Sequence, residues 1–315
     1  MTSKVPEVSV LLPTFNGSKT LDRAINSIMQ QSFQDWELII VDDGSTDETW
    51  DIISSFSDDR IRTIKHENNL GLVQALRTGT KLCAGYLIAR QDQDDISHKD
   101  RLLIQTNYLT KHPEIGIVGT WAQVVDESNI EKHNIVKYLR HPRNHGDIRW
   151  LALFNSPFVH SSIVIRREIL ESLGGYSETS LLTPPEDYEL WSRLLTTYLA
   201  ANIPQCLLVY QQTATGMSSK QVDKIRRNAH QIGLDNISML MSQSTSRIDS
   251  LFISIMNGNC KSRIKFSESL KIDAHMLKYH RQFRKLHIRP SVSTLLRCII
   301  RNHVSYLLNL SMSHR

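Results

Sequence analysis

The four cysteines of this 315-residue chain, Cys83, Cys206, Cys260 and Cys298, lie far apart and form no C-x-x-C pair. Such spacing supports neither a zinc site nor a disulfide framework, and leaves core or surface thiols as the reading. No run of about 18 apolar residues occurs, so no membrane-spanning helix is expected. The start, Met1-Thr2-Ser3-Lys4-Val5-Pro6, lacks the apolar centre of a signal peptide, and a cytosolic protein is expected. No G-x-G-x-x-G follows the first apolar run and no G-K-[ST] lies near it, which excludes the common glycine cradles for phosphate. No Ser/His/Asp arrangement is visible, nor any internal repeat or low-complexity tract.

What is present is ordinary soluble composition, 40% hydrophobic and 22% charged, enough for one large core or two smaller ones. The net charge of +5 hides an asymmetry. After Ser246 stand thirteen Lys and Arg against three acids, so that tail carries +10 and the rest −5. A basic tail on an acidic body points to a polyanionic partner, either nucleic acid or an anionic membrane surface. Within Ile264–Leu310 the pattern is helical, with Leu295, Leu296, Ile299 and Ile300 alternating with Arg297 and Arg301. That fits an interfacial amphipathic helix, or equally a basic helix packed on its own domain or on a second subunit.

Strand and helix signals alternate four times through the first hundred residues. Val8–Pro13, Leu38–Val41, Ile61–Ile64 and Tyr86–Ala89 are short apolar runs of the kind buried on both faces of a sheet. Helical spacing follows each of them, with Ser45 and Glu48, and again Ser97 and Asp100, at cap-like spacing. The pattern predicts a parallel sheet flanked by helices. Ligands of such sheets bind beyond the carboxyl ends of the strands. Three polar turns fall at those ends: Thr14–Asn16, Asp42–Ser45 and Asp92–Asp95. They are expected to converge on one crevice. The densest is Arg90-Gln91-Asp92-Gln93-Asp94-Asp95, whose three carboxylates either form a solvated turn or hold a hard divalent cation through oxygen. Asp42 or Asp43 is placed to accept hydrogen bonds from a base or ribose, or else forms a helix-capping turn.

The second half is less regular. Ile117–Val125, Ser161–Ile165 and Leu207–Tyr210 read as strands, and a helix opens at Pro184-Pro185-Glu186-Asp187. Glu and Asp in a first helical turn complement the helix dipole. They also suit a carboxylate base aimed into a pocket. His160 reads as a structural histidine when taken alone.

Together, VSVLLPTFN (residues 8–16), LIIVDDGSTD (38–47), Asn69-x-Gly71, YLIARQDQDDIS (86–97), Gly174-Gly175-Tyr176 and PEDYELW (185–191) resemble the inverting glycosyltransferases of family 2, over roughly residues 7–220. The Arg-x-Asp-x-Asp-Asp-Ile-Ser form is similar to the bacterial subgroup that builds O-antigen, capsule and related polysaccharides. The resemblance implies an α/β, GT-A fold: a Rossmann-like, mostly parallel sheet flanked by helices, with a helical C-terminal extension. A catalytic domain over 1–246 and a basic extension over 247–315 are expected.

The resemblance also implies roles. Pro13, Thr14, Asn16, Asp42 and Asp43 would line the nucleotide pocket, with Asp42 on a uracil-type base. Asp92 would face the ribose and share, with Asp94, a Mn²⁺ or Mg²⁺ bridging the donor diphosphate. Asp187 would be the catalytic base with Glu186 beside it, and Asp95 structural. Trp191 and His160 would stand on the acceptor side, or Trp191 would support the base helix. The implied partners are a nucleotide sugar such as UDP-Gal or UDP-Glc, a lipid-linked glycan acceptor such as a diphospho-lipid amino sugar extended through a β1,3 linkage, and the anionic cytoplasmic face of the inner membrane reached by the basic tail. Nucleic acid is not among them. Two departures stand out. Gln91 occupies a position that is usually apolar in the family, and Tyr210-Gln211-Gln212 lacks the family's Arg and His, for which Lys220 or Arg226 are the candidate substitutes. The second departure keeps open a catalytically weak scaffold or sugar-nucleotide binding module.

Overall fold

The computed structural model describes residues 5–126, 135–178, 181–212, 221–258 and 264–311. Lys220 and Cys260 lie outside the described residues. The chain divides into two compact units. The first comprises Met1–His141, Phe158–Ser180 and Thr196–Lys220, and the second Pro142–Pro157, Leu181–Leu195 and Gln221–Arg315.

The first unit is built on a sheet of nine described strands. In chain order these are β1 (Val8–Thr14), β2 (Trp36–Asp42), β3 (Ile61–Lys65), β4 (Leu87–Arg90), β5 (Ile96–Ser97), β6 (Ile115–Asp126), β7 (Ile135–Leu139), β8 (Val164–Arg166) and β9 (Leu199–Gln212). The order across the sheet is β3-β2-β1-β4-β8-β6-β9-β5, with β7 on β6. Strands β1 to β4 are parallel, as the alternation predicts. Every residue of β1 and β2 is buried, because helices cover both faces of a parallel sheet. The connecting helices are α1 (Leu21–Met29), α2 (Thr49–Ser54) and α3 (Leu72–Leu82), and α4 (Arg101–Lys111) leads out of the Asp-rich turn. Leu21, Ala24, Ile25 and Ile28 of α1 join Val10, Leu12, Leu38 and Ile40 in one core. Beyond β4 the sheet becomes mixed, since β8 runs antiparallel to both β4 and β6 while β6 and β9 are parallel.

Several expectations shift. The run Ser161–Ile165 splits into a 3₁₀ turn over His160–Ser162 and a strand that begins only at Val164. The last strand starts at Leu199 rather than Leu207, because its pairing with β6 is interrupted by register shifts that break the alternation a sequence would show. Neither cap-like pair forms a cap. Helix α2 begins after Glu48 with the Asp47 carboxylate on Thr49, and α4 begins after Asp100 without a side-chain cap. The serines are engaged elsewhere, as described below.

The second unit is helical. Its elements are α5 (His145–Leu151), α6 (Glu186–Leu194), α7 (Val222–Met241), α8 (Arg247–Met256), α9 (Phe266–Lys285) and α10 (Val292–Ser311). Residues 142–157, 181–195 and 221–246 belong with these helices, not with the sheet, so this division departs from a boundary at residue 246. The reason is a shared core: Trp150, Phe154 and Ile237 pack with Phe252, Tyr279 and Phe283. Among the tail residues, Leu295 and Ile299 join this core, whereas Leu296 and Ile300 stay exposed. No helix among the described residues is long and apolar enough to cross a membrane.

Candidate functional site

The polar turns after β1, β2 and β4 are tied to one another by hydrogen bonds. Gln93 is the first link: its Oε1 accepts from Thr14 Oγ1 (2.6 Å) and from the Phe15 amide (2.9 Å). Asn16 is the second, its amide donating to Ser45 Oγ and its Oδ1 accepting from the Thr46 amide, each at 2.9 Å. The Gly17 amide donates to Thr49 Oγ1 (2.8 Å), and a Cβ at Gly17 would stand 2.6 Å from Gln93 Oε1, so a larger residue would have to displace the Gln93 carboxamide. Pro13 and Thr14 are buried beneath the turn. The expected convergence is therefore present at the carboxyl ends of β1, β2 and β4.

The two neighbouring aspartates do different things. Asp43 is fully engaged: Oδ1 accepts from the Leu70 amide (3.0 Å) and meets His66 Nδ1 (2.7 Å), while Oδ2 accepts from the Gly71 amide (2.8 Å). It ties down the loop before α3, where Gly71 has φ +90°. Asp42 is completely buried and accepts from the Ser45 amide through Oδ1 (3.0 Å). Its Oδ2 has no hydrogen bond, the Lys65 ammonium standing 3.9 Å away. A buried carboxylate oxygen without a hydrogen-bond donor is costly, so this atom is suited to a donor brought by a ligand.

The Asp-rich stretch rests on a buried polar network. Gln91, fully buried, donates from Nε2 to the carbonyls of Asp92 (3.1 Å) and Asp95 (2.8 Å). Its Oε1 accepts from Ser97 Oγ (2.7 Å) and Arg101 Nη1 (3.0 Å). An apolar residue at this position would leave all four partners short, which accounts for the glutamine. Arg101, also fully buried, reaches Gln105 Oε1 (3.0 Å), Ser97 Oγ (2.8 Å) and the Arg90 carbonyl (2.6 Å). Burial lowers its guanidinium to about 9. Asp95 accepts from Ser161 Oγ and from the Gln211 amide (3.0 Å). Burial, with Asp92 and Asp94 adding repulsion, pushes its carboxyl well above the usual range. Asp95 is thus a structural member of the stretch.

Asp92 behaves in the opposite way. Burial opposes its charge, but the Arg90 guanidinium at 2.5 Å holds the carboxyl below the usual carboxylate range. About 30% of the side chain remains exposed. Asp94 is half-buried. No cluster of three His, Cys, Asp or Glu capable of holding a metal occurs among the described residues. Two partly exposed carboxylates nevertheless fit a hard cation whose remaining ligands are substrate phosphates and water. His160 lies on the same unit, its Nε2 2.8 Å from the Tyr176 hydroxyl. Burial, and then the Arg90 charge, push the imidazole down to about 3, so it is neutral at pH 7. The Gly174-Gly175-Tyr176 turn is itself held by Arg77, which donates to the Tyr176 carbonyl (2.6 Å).

Gln211 stands where the resemblance leads one to expect arginine. Its backbone contributes the amide to Asp95, but neither polar atom of its buried carboxamide has a hydrogen-bond partner. Arg226 is exposed on α7 of the second unit.

The second unit carries Glu186 and Asp187 at the start of α6. Asp187 Oδ2 accepts from Ser156 Oγ (3.1 Å). Burial raises the carboxyl above its ordinary value, against the lowering effect of hydrogen bonds from backbone amides and Ser156. Trp191 is completely buried, on the same helix as Asp187. The helix is pinned from α7: Asn236 Nδ2 donates to Ser192 Oγ (2.9 Å) and to the Ala152 carbonyl (2.7 Å), which also receives the Tyr188 hydroxyl (2.8 Å). Asn228 Nδ2 donates to the Pro184 carbonyl (2.8 Å).

Gln93, Arg101, Ser156, Asn228 and Asn236 carried no signal in the sequence. Gln93, Ser156, Asn228 and Asn236 act through contacts made far along the chain, and Arg101 joins its near neighbours Ser97 and Gln105 to the distant Ile163 carbonyl (3.3 Å).

Comparison with known proteins places this geometry. Residues 9–174 match the family model described as Glycosyl transferase family 2. The amylovoran biosynthesis glycosyltransferase AmsE of Erwinia amylovora is 30% identical over 205 residues, covering 64% of this chain and 74% of AmsE. The UDP-Glc:alpha-D-GlcNAc-diphosphoundecaprenol beta-1,3-glucosyltransferase WfgD of Escherichia coli is 26% identical over 239 residues, covering 72% of this chain and 85% of WfgD. Among solved structures, residues 1–349 of S. aureus TarS superpose with a TM-score of 0.61, and 0.59 in complex with UDP-GlcNAc. That match covers 95% of this chain and 89% of the TarS chain at 15% and 16% identity, and it shows a shared GT-A-like fold. The matched motifs, the mixed sheet with its linked turns and the family model agree: the chain belongs to glycosyl transferase family 2.

Proposed function

We propose that the protein transfers a hexose from a UDP-sugar, such as UDP-Gal or UDP-Glc, to a hydroxyl of a lipid-linked glycan during bacterial surface polysaccharide synthesis. The observation that carries the donor part is the buried, hydrogen-bond-deficient Oδ2 of Asp42 within three turns cross-linked by Gln93 and Asn16. A uracil N–H would supply the missing donor. Thr14 and Asn16 frame the nucleotide, and Asp43 shapes the loop without touching it. The acceptor part draws on WfgD, whose acceptor is a diphosphoundecaprenol-linked sugar, and the β1,3 linkage is part of the same proposal.

In this reading Asp187 takes the proton of the acceptor hydroxyl. The oxygen attacks the anomeric carbon from the face opposite the diphosphate. The carbon–oxygen bond to phosphate breaks, its electron pair leaving with the nucleoside diphosphate, and the configuration inverts. Glu186 flanks the base, and Ser156 orients it. Mn²⁺ or Mg²⁺, held by Asp94 with Asp92, would offset the charge that grows on the diphosphate. Asp92 is kept ionised for that task by Arg90.

The experiment is a panel of nucleotide sugars scored for transfer to a diphospho-lipid amino sugar. Product carrying a β-linked hexose from UDP-Gal or UDP-Glc is expected, and turnover with no donor in the panel would favour the scaffold reading instead. Asp94→Asn is expected to weaken metal-dependent UDP binding by about tenfold or more while sparing the fold, as read by calorimetry with and without Mn²⁺. The raised carboxyl of Asp187 gives kcat an acid limb. The base is protonated and idle at low pH, so kcat rises as pH increases through a value above that of an ordinary aspartate. A limb at the ordinary carboxylate position would contradict the assignment.

A further inference from the structure

Helices α9 and α10 run antiparallel. The Phe266 ring packs on Tyr306, and the Asp273 carboxylate meets His303 Nε2 (2.8 Å) and Asn302 Nδ2 (2.8 Å). These contacts join the first half of α9 to the last half of α10. Their inner faces are buried through Ile272, Met276, Phe283 and Leu295. Their outer faces are unusual. On α10, Val292, Leu296, Ile300 and Val304 recur at every fourth position and are 63%, 52%, 61% and 47% exposed. On α9, Phe266, Leu270 and Leu277 share one stripe and are 56%, 49% and 43% exposed. At helical spacing both stripes border the α9–α10 seam and form one apolar band.

Basic side chains flank the band on both sides: Lys271, Lys278, Arg281 and Lys285 on the outer edge of α9, Arg297 and Arg301 on that of α10. All six are exposed. The only acids of residues 266–306 are Glu268 and Asp273. Both are already paired, Glu268 with Arg247 (3.1 Å) and Asp273 with His303. The exposed surface therefore presents apolar side chains between two rows of cations without compensating acid.

We infer that this two-helix face seats the enzyme on an anionic lipid surface, the apolar band entering the acyl boundary and the flanking Lys and Arg meeting headgroup phosphates. Charge complementarity selects this occupant, since a second copy of the face would bring cation against cation. Interfacial helices have this arrangement of apolar and basic faces, and each basic residue near an anionic membrane adds to binding. The inference deepens the lipid-linked acceptor proposed above and rests on that reading only for its purpose, because its residues lie on other elements.

The test uses the full chain and vesicles of phosphatidylglycerol with phosphatidylethanolamine, or of phosphatidylcholine alone, in a flotation assay without donor or acceptor. Binding to the anionic vesicles only, weakening with salt, is expected. L296E/I300E should reduce it by about tenfold or more, and R281Q/K285Q should reduce it and flatten its salt dependence. V136E, on an exposed apolar residue of the first unit, should leave it unchanged. Unchanged binding by L296E/I300E, with circular dichroism like that of the wild type, would overturn the inference. So would a stable dimer that this variant dissociates. Sugar transfer to a short-chain, water-soluble acceptor separates the two readings. If the wild type floats but transfers nothing, the proposed function fails alone. If it transfers but does not float, the docking face fails alone.

Discussion

Asp187→Asn is expected to lower kcat by a factor of about 10²–10⁴, the usual contribution of a positioned general base. Asparagine keeps the size and the hydrogen bond from Ser156 but cannot take a proton. UDP binding should stay within about twofold of the wild type, because the nucleotide contacts proposed here lie at Asp42, Thr14 and Asn16. The acid limb of the rate profile should disappear with the carboxylate. Single-turnover transfer alongside calorimetric UDP binding measures both. Near-normal turnover by the variant would move the base elsewhere, with Glu186 the next residue to replace. Ser156→Ala gives a finer reading: it removes one hydrogen bond to the carboxylate, so the apparent pKa of the limb should rise further while some activity remains.

Arg101→Met is expected to destabilise the first unit by about 3–5 kcal/mol, a loss of the size seen when a buried, hydrogen-bonded charge is removed. Methionine fills much of the volume but removes the Arg101 donors from Ser97 Oγ, Gln105 Oε1 and the Arg90 carbonyl, and leaves Gln91 Oε1 with Ser97 Oγ as its one remaining donor. Gln91 would then lose its orientation, and with it the carbonyls of Asp92 and Asp95 that it ties together. Denaturant unfolding followed by circular dichroism reports the stability, and UDP binding in the presence of Mn²⁺ reports the turn. Arg101→Lys retains charge without the planar fork, so it should recover only part of the loss. A variant as stable as the wild type would mean that the network is not what holds the Asp-rich turn.

These two residues differ in how visible they are in the chain. Asp187 sits in a local motif, Glu-Asp at a helix start, and its neighbourhood in sequence already suggests chemistry. Arg101 looks like any basic residue near the start of an amphipathic helix. Its importance comes from five segments that meet around it: the end of β4, the Asp-rich turn, β5, the first turns of α4 and the segment before β8.

The same contrast runs through the whole molecule. Four apolar strands alternating with helices specify a parallel sheet, because each run carries its own burial signal. That signal brings the polar turns to one edge, so their convergence is legible without coordinates. The serines show the limit of local reading. Ser45 and Ser97 have the spacing of helix caps, yet Ser45 Oγ receives the Asn16 amide and Ser97 Oγ binds Gln91. Competing partners from distant segments override a local preference that is worth only about 1 kcal/mol. Helix α7 is missed because its first half is almost wholly polar, and its apolar positions acquire meaning only against α5 and α8. Its two asparagines nonetheless pin the helix that bears Asp187.

The Asp-rich stretch was legible as a group of three carboxylates, and the resemblance implied a metal-holding turn there. Local sequence could not separate their electrostatic states, since a carboxylate's pKa depends on burial and on charges brought from elsewhere. Tertiary structure lowers Asp92 through Arg90, raises Asp95 by burial and by the charges of Asp92 and Asp94 beside it, and gives Gln91 its place as the hub. The tail follows the same rule. Its basic charge and helical period are properties of the sequence, whereas the rotation of α10 that buries Leu295 and exposes Leu296 was decided by packing, because both lie on plausible apolar faces until α9 occupies one of them.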